Sequence, residues 1–148
     1  KTFAALTFVL PKSQPLIYTG QEIGLNRRLA FFEKDSVKEL VDLEYGKEYR
    51  EFYKNLCAFR HNNSALAAGE TVAPINIIEE APEAVLAFTR ENAENYVFCV
   101  FNFSAEAQTF VVSETVAGDY RCACGKEMSL VAGETIELAP GQFYLLAK

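Results

Sequence analysis

The sequence has no tryptophan, one histidine and one methionine among its 148 residues. Each scarcity closes a route. Tryptophan is the strongest aromatic platform for a sugar ring, so a glycan-binding face would fall to Tyr96, Tyr120 and Tyr144, and their places in alternating strands point to packing instead. His61 stands alone at a helix end, followed by Asn62, so no Ser/His/Asp set can be assembled around it. The four cysteines, Cys57, Cys99, Cys122 and Cys124, lack the paired spacing and supporting histidines of a zinc site, and they have no partner for nucleophilic chemistry. They read as small buried hydrophobes in preference to metal ligands or disulfide partners, with Cys122 and Cys124 on one face of an expected strand. No apolar run approaches the roughly 20 residues of a membrane span. Lys and Arg number 14 against 20 Asp and Glu, a net charge of −6. That balance argues against nucleic acid, which needs a basic face, and against an anionic membrane surface.

What is present is apolar and aromatic: half the residues are hydrophobic, with twelve Phe and seven Tyr. The patterning changes near residue 67. Before it, Phe3, Leu6, Phe8, Val9 and Leu10 predict a helix stopped by Pro11. Lys1 followed by an apolar run has the outline of a leader peptide, but it lacks a small-residue cleavage site and a packed helix is the better reading. Leu16-Ile17-Tyr18 predicts a short strand ending at Gly20, which delivers the polar pair Gln21-Glu22 to a loop closed by Gly24. The connection from Leu25 to Leu43 is too apolar for a free linker, and Asp42 is an expected N-cap. A helix follows over Glu44–His61, with Tyr45, Tyr49, Phe52, Tyr53, Leu56 and Phe59 as its apolar stripe.

Beyond residue 70 the pattern alternates. Strands are expected at Val72–Ile78, Ala84–Arg90, Tyr96–Phe103, Gln108–Ser113, Asp119–Ala123, Glu127–Val131, Thr135–Leu138 and Gln142–Ala147. Gly, Pro and Asn mark the turns between them. Eight short strands without intervening helices predict an antiparallel β-sandwich. Tyr96-Val97-Phe98-Cys99-Val100-Phe101 is apolar on both faces, so it is expected in the centre, covered by the opposite sheet and by the helical part. Glu79, Glu80 and Glu83 read as a solvated turn. The expected class is α+β, a helical segment and then a sandwich.

Several of these stretches carry a family likeness. Pro15 to Gly24 resembles the eighth barrel strand and following loop of the α-amylase family of glycoside hydrolases, where P-x-I-Y-x-G-Q-E-x-G is usual. Glu44-Tyr45, Phe52-Tyr53, Leu56, Arg60, Ala65-Leu66 and Gly69 resemble the last barrel helix and its exit. Ala87-Phe88-Thr89-Arg90, Phe101-Asn102-Phe103-Ser104 and Leu138 to Phe143 resemble segments of the family's C-terminal domain. The resemblance implies that residues 1–67 are the last helix, strand and helix of a (β/α)₈ barrel, and that residues 68–148 are the sandwich.

The family's activity is retaining hydrolysis by two carboxylates roughly 5–5.5 Å apart. In the family those carboxylates follow barrel strands four and five, upstream of the portion matched here. The resemblance therefore implies a C-terminal fragment of an enzyme acting on α-glucosidic bonds of starch-like glucans. Such a fragment has no catalytic carboxylates, cofactor or metal of its own. Gln21 and Glu22 are expected to line the cleft of the intact protein, since barrel active sites lie at strand C-termini. The implied partners are the rest of the barrel and the glucan substrate. The alternative is an independent α-glucan-binding sandwich. With its barrel neighbours missing, strand 16–18 and the faces around Phe3, Phe8 and Phe52 are expected to be exposed, so that the chain self-associates or its helices fold onto the sandwich.

Overall fold

The computed structural model describes residues 1–28, 44–69 and 72–148. Two helices, α1 (Thr2–Val9) and α2 (Glu44–Asn62), precede eight strands. These are β1 (Ile75–Ile77), β2 (Val85–Glu91), β3 (Tyr96–Asn102), β4 (Gln108–Val111), β5 (Gly118–Cys122), β6 (Glu127–Leu130), β7 (Thr135–Leu138) and β8 (Phe143–Ala147). All eight expected strands form: β7 matches, β2 and β5 are shifted by one residue, and the rest are trimmed. The expected N-cap, Asp42, and most of the connection before α2 lie outside the described residues.

Six strands form one sheet in the order β1-β2-β3-β8-β5-β6, and β4 pairs with β7 in a second. Every pairing is antiparallel. The β2–β3 turn is built by Asn92, whose side-chain oxygen accepts the N–H groups of Glu94 and Asn95. β3 is central, paired with β2 through Phe88↔Cys99 and with β8 through Cys99↔Leu145. It is buried from Val97 to Asn102. Because successive side chains alternate across a strand, β3 feeds two separate cores. Phe98 and Val100 meet Phe110, Ile136 and Leu138 of the smaller sheet. Val97, Cys99 and Phe101 meet Phe8 and Val9 of α1 and Tyr53, Leu56 and Phe59 of α2. The α+β class and the sandwich are thus present, with the helices packed on the outer face of the large sheet.

The end of α1 explains how that face is closed. Leu10 leaves the helix in an extended conformation, as the residue before Pro11 must. The last carbonyls of the helix are then orphaned. Arg60 donates to Phe8 O and Ser13 O, and Arg90 donates to Val9 O at 3.1 Å and to Ala73 O at 3.0 and 3.3 Å. Cations also suit the negative end of a helix dipole. Arg90 is fully buried, and its hydrogen-bond partners among the described residues are all carbonyls.

Three expectations are corrected. Residues 16–18 form no strand; a strand exists only with a ladder partner, and among the described residues no strand lies against this segment, where Leu16 is 81% and Tyr18 70% exposed. Phe8 is buried and Phe52 half-buried, because the large sheet covers them; only Phe3 of that group, at 72%, stays exposed. The cysteines do not share one environment: Cys99 is buried, Cys122 half-buried, and Cys57 and Cys124 exposed. Cys124 lies in the turn after β5 and not in the strand.

Candidate functional site

The loop holding Gln21 and Glu22 is a compact turn. Residues Gln21–Ile23 form one turn of 3₁₀-helix between Gly20, at φ 92°, and Gly24, at φ 65°. Both side chains face their own backbone: Gln21 Oε1 accepts from Tyr18 N–H at 3.1 Å, and Glu22 Oε2 from Gly20 N–H at 2.8 Å. Ile23 is buried and lies against Gly46 of α2. A Cβ on Gly24 would stand 2.4 Å from the Tyr49 ring, so the loop seats on α2 only with glycine there. Gln21 also lies beside Tyr53, whose hydroxyl is raised above its ordinary pKa mainly by burial, with the Gln21 side chain acting in the opposite direction. The loop is therefore held to α2 by Ile23, Gly24 and Gln21 together, with Glu22 half-buried beside it.

The other polar residues do not converge on this loop. A cavity of about 480 Å³ lies between residues 14–17 and the C-terminal half of α2, lined by Arg60, His61 and Cys57 among others, with no carboxylate and neither Gln21 nor Glu22 among its described lining residues. His61 is exposed at the helix end, and Glu79, Glu80 and Glu83 are solvated around the turn before β2. No group of three or more His, Cys, Asp or Glu suited to a metal ion occurs among the described residues. Of the tyrosines considered as sugar platforms, Tyr120 is buried and gives its hydroxyl to Val116 O at 2.8 Å, while Tyr96 gives its hydroxyl to Thr115 O at 2.7 Å. The Lys148 ammonium lies 4.7 Å above each of those two rings. Tyr144 is half-buried and accepts from Gln142.

Two residues of the recognised segments have structural work that spacing alone does not reveal. Asn102 is fully buried between the sheets. Its amide donates to Glu106 O, Leu138 O and Ala139 O, and its oxygen accepts from Ser104 N–H and Oγ. Arg90 clamps α1 as described. A buried Arg or Asn inside an otherwise apolar strand is the sequence signal for such roles, because a polar group there must find partners.

Residues 75–145 match a family model described as Maltogenic Amylase, C-terminal domain. No curated protein sequence matches the chain. Among solved structures, AmyP in complex with maltose aligns over 99% of this chain and 33% of its own, with a TM-score of 0.72 and 19% identity. A variant of AmyP with maltotriose gives 0.73 and 18%, again over 99% and 33%. The trehalulose synthase MutB from Pseudomonas mesoacidophila MX-45 gives 0.61 and 20%, over 99% and 38%. The chain thus spans about a third of the length of the solved chains it matches. The likeness to these solved chains, at 18–20% identity, is one of fold. Over residues 75–145 the likeness extends to the sequence, which fits the pattern of a maltogenic amylase C-terminal domain.

Proposed function

We propose that this chain is the closing part of an enzyme that acts on α-glucosidic bonds of starch-like glucans, with residues 1–67 completing its barrel and residues 68–148 forming the sandwich that stabilises it. The catalytic carboxylates belong to the rest of that barrel, which is the chain's principal partner. Gln21 and Glu22 shape the rim of the cleft by fixing the loop around them, so their role is positional.

The observation that carries this reading is the shared core. Phe8, Tyr53, Leu56 and Phe59 of the helices pack on Phe88, Cys99, Phe101 and Leu145 of the sheet, so the helical part and the sandwich hold each other. The exposed Leu16 and Tyr18 suit a segment that receives barrel neighbours. The buried or hydrogen-bonded state of Tyr96 and Tyr120 weighs against an independent glucan-binding module.

Two assays test this. Incubation of the chain with soluble starch should release no reducing sugar, and titration with maltoheptaose should give no saturable heat. Hydrolysis by the chain alone would overturn the placement of the carboxylates, and saturable binding would favour the module.

A further inference from the structure

The turn between β5 and β6 holds two thiols that the glycosidase reading does not use. In a regular strand, residues two apart lie about 6–7 Å from each other. Here the chain leaves β5 after Cys122 and turns through Gly125, at φ 81°. Cys122 N–H donates to Lys126 O at 2.7 Å, and Gly125 N–H donates to Cys122 O at 2.7 Å. The turn brings Cys124 Sγ to 2.8 Å from Cys122 Sγ, and Cys124 N–H also points at the Cys122 sulfur, at 3.3 Å. A cavity of about 430 Å³ opens between this turn and α2, lined by Asn55, Asn62 and Arg121 as well as both thiols.

We propose that Cys122 and Cys124 are a dithiol–disulfide couple, a redox modification site open to small disulfides of the glutathione type. The two sulfurs are unequal in the way such a couple needs. Cys124 is exposed and Cys122 half-buried. Burial, and then the contact with Cys124, push the Cys122 thiol up to about 11. Partial burial also acts against ionisation of Cys124. It is outweighed by the hydrogen bond from Cys122, by backbone N–H groups and by the Lys126 charge, so Cys124 ends below the ordinary thiol value. Cys124 is therefore the attacking group and Cys122 the resolving one. The other two cysteines lack a second thiol beside them: Cys99 is buried in the sheet and Cys57 stands on α2.

The exchange balances in two steps. The Cys124 thiolate attacks one sulfur of oxidised glutathione, the glutathione S–S bond breaks, and one glutathione thiolate leaves and takes up a proton. Cys122 then loses its proton to solvent and attacks the Cys124 sulfur, expelling the second glutathione thiolate. Two protein thiols are oxidised by two electrons, and one small disulfide is reduced to two thiols.

The test uses the 148-residue chain equilibrated in mixtures of reduced and oxidised glutathione, blocked with N-ethylmaleimide and digested with trypsin. Cleavage after Arg121 and Lys126 isolates both cysteines on one short peptide. The expected product is that peptide lighter by two hydrogens, free of maleimide and glutathione. Cys122→Ser should instead leave glutathione on Cys124. The native chain should also reach half-oxidation at a lower proportion of oxidised glutathione than the urea-unfolded chain, because the fold presents the sulfurs together. Two maleimides on the wild-type peptide in the most oxidising mixture, glutathione retained on wild-type Cys124, or equal midpoints for native and unfolded chains would overturn the proposal.

Discussion

Replacing Arg90 by methionine tests whether a buried cation seated on backbone carbonyls holds α1 to the sheet. The substitution keeps most of the apolar stem and removes the guanidinium. What remains are the carbonyls of Val9 and Ala73, which Arg90 reaches at 3.0–3.3 Å. A buried acceptor left without a donor costs about 1–3 kcal/mol. Two such carbonyls give about 2–6 kcal/mol. Against this stands relief of a desolvation penalty of several kcal/mol for the ion. Burial, together with the nearby Arg60 charge, lowers the Arg90 pKa, which records the same penalty from the protonation side. The helix end tips the balance, since its carbonyls carry partial negative charge that favours the cation.

The net expectation for Arg90→Met is a loss of about 2–4 kcal/mol, a fall in the urea midpoint of roughly 1–2 M at ordinary slopes. Arg90→Lys should lose less, because one ammonium group can still reach one carbonyl. Amide exchange across residues 2–9 should quicken in both variants. Unchanged or raised stability in Arg90→Met would refute the reasoning, because it would mean that desolvation outweighs the clamp.

Other outcomes follow from the same geometry. Gly24→Ala places a methyl group against the Tyr49 ring and a side chain at φ 65°, and should cost roughly 2–4 kcal/mol in thermal unfolding, with part recovered in a Gly24→Ala/Tyr49→Ala double variant. Asn102→Asp replaces a donor facing three carbonyls with a carboxyl group and should cost about 3–5 kcal/mol at neutral pH, read by urea titration. Burial raises the pKa of Tyr120 and of Tyr96, so their contribution is full below the unfolded value of 10.0 and is lost as pH rises above it. Lys148 over both rings tempers that loss. Tyr120→Phe should therefore be less stable than wild type at neutral pH but show a shallower decline above pH 10, and equal slopes would count against this account.

Much of the fold is legible from alternation alone, because burial dictates it. β3 reads as apolar on both faces and is buried on both, and its neighbours follow from turn residues such as Asn92 and Gly133. The segment around Leu16 was the least legible. Its residues favour a strand, but a strand is a property of a pair, and propensity does not supply the partner. The loop of Gln21 and Glu22 stands out in the sequence by its resemblance to a family pattern, whereas the inward turn of both side chains toward Tyr18 and Gly20 depends on two glycine conformations that sequence does not print. The environments of the cysteines were likewise hidden, since Cys122 and Cys124 owe their closeness to a turn placed one residue earlier than the alternation suggests.

The helix clamp also has a kinetic side. Residues 2–9 are joined to partners far along the chain: Thr2 hydrogen-bonds Gly141 O, and Val9 O receives Arg90. Contacts of such sequence separation carry a large loop-closure entropy and form late. The first helix therefore has no complete docking surface until β8 is in place beside β3. Within this stretch of sequence the helix is made well before the strand that completes its seat, so Phe8 lacks its cover from the sheet until β8 has been synthesised.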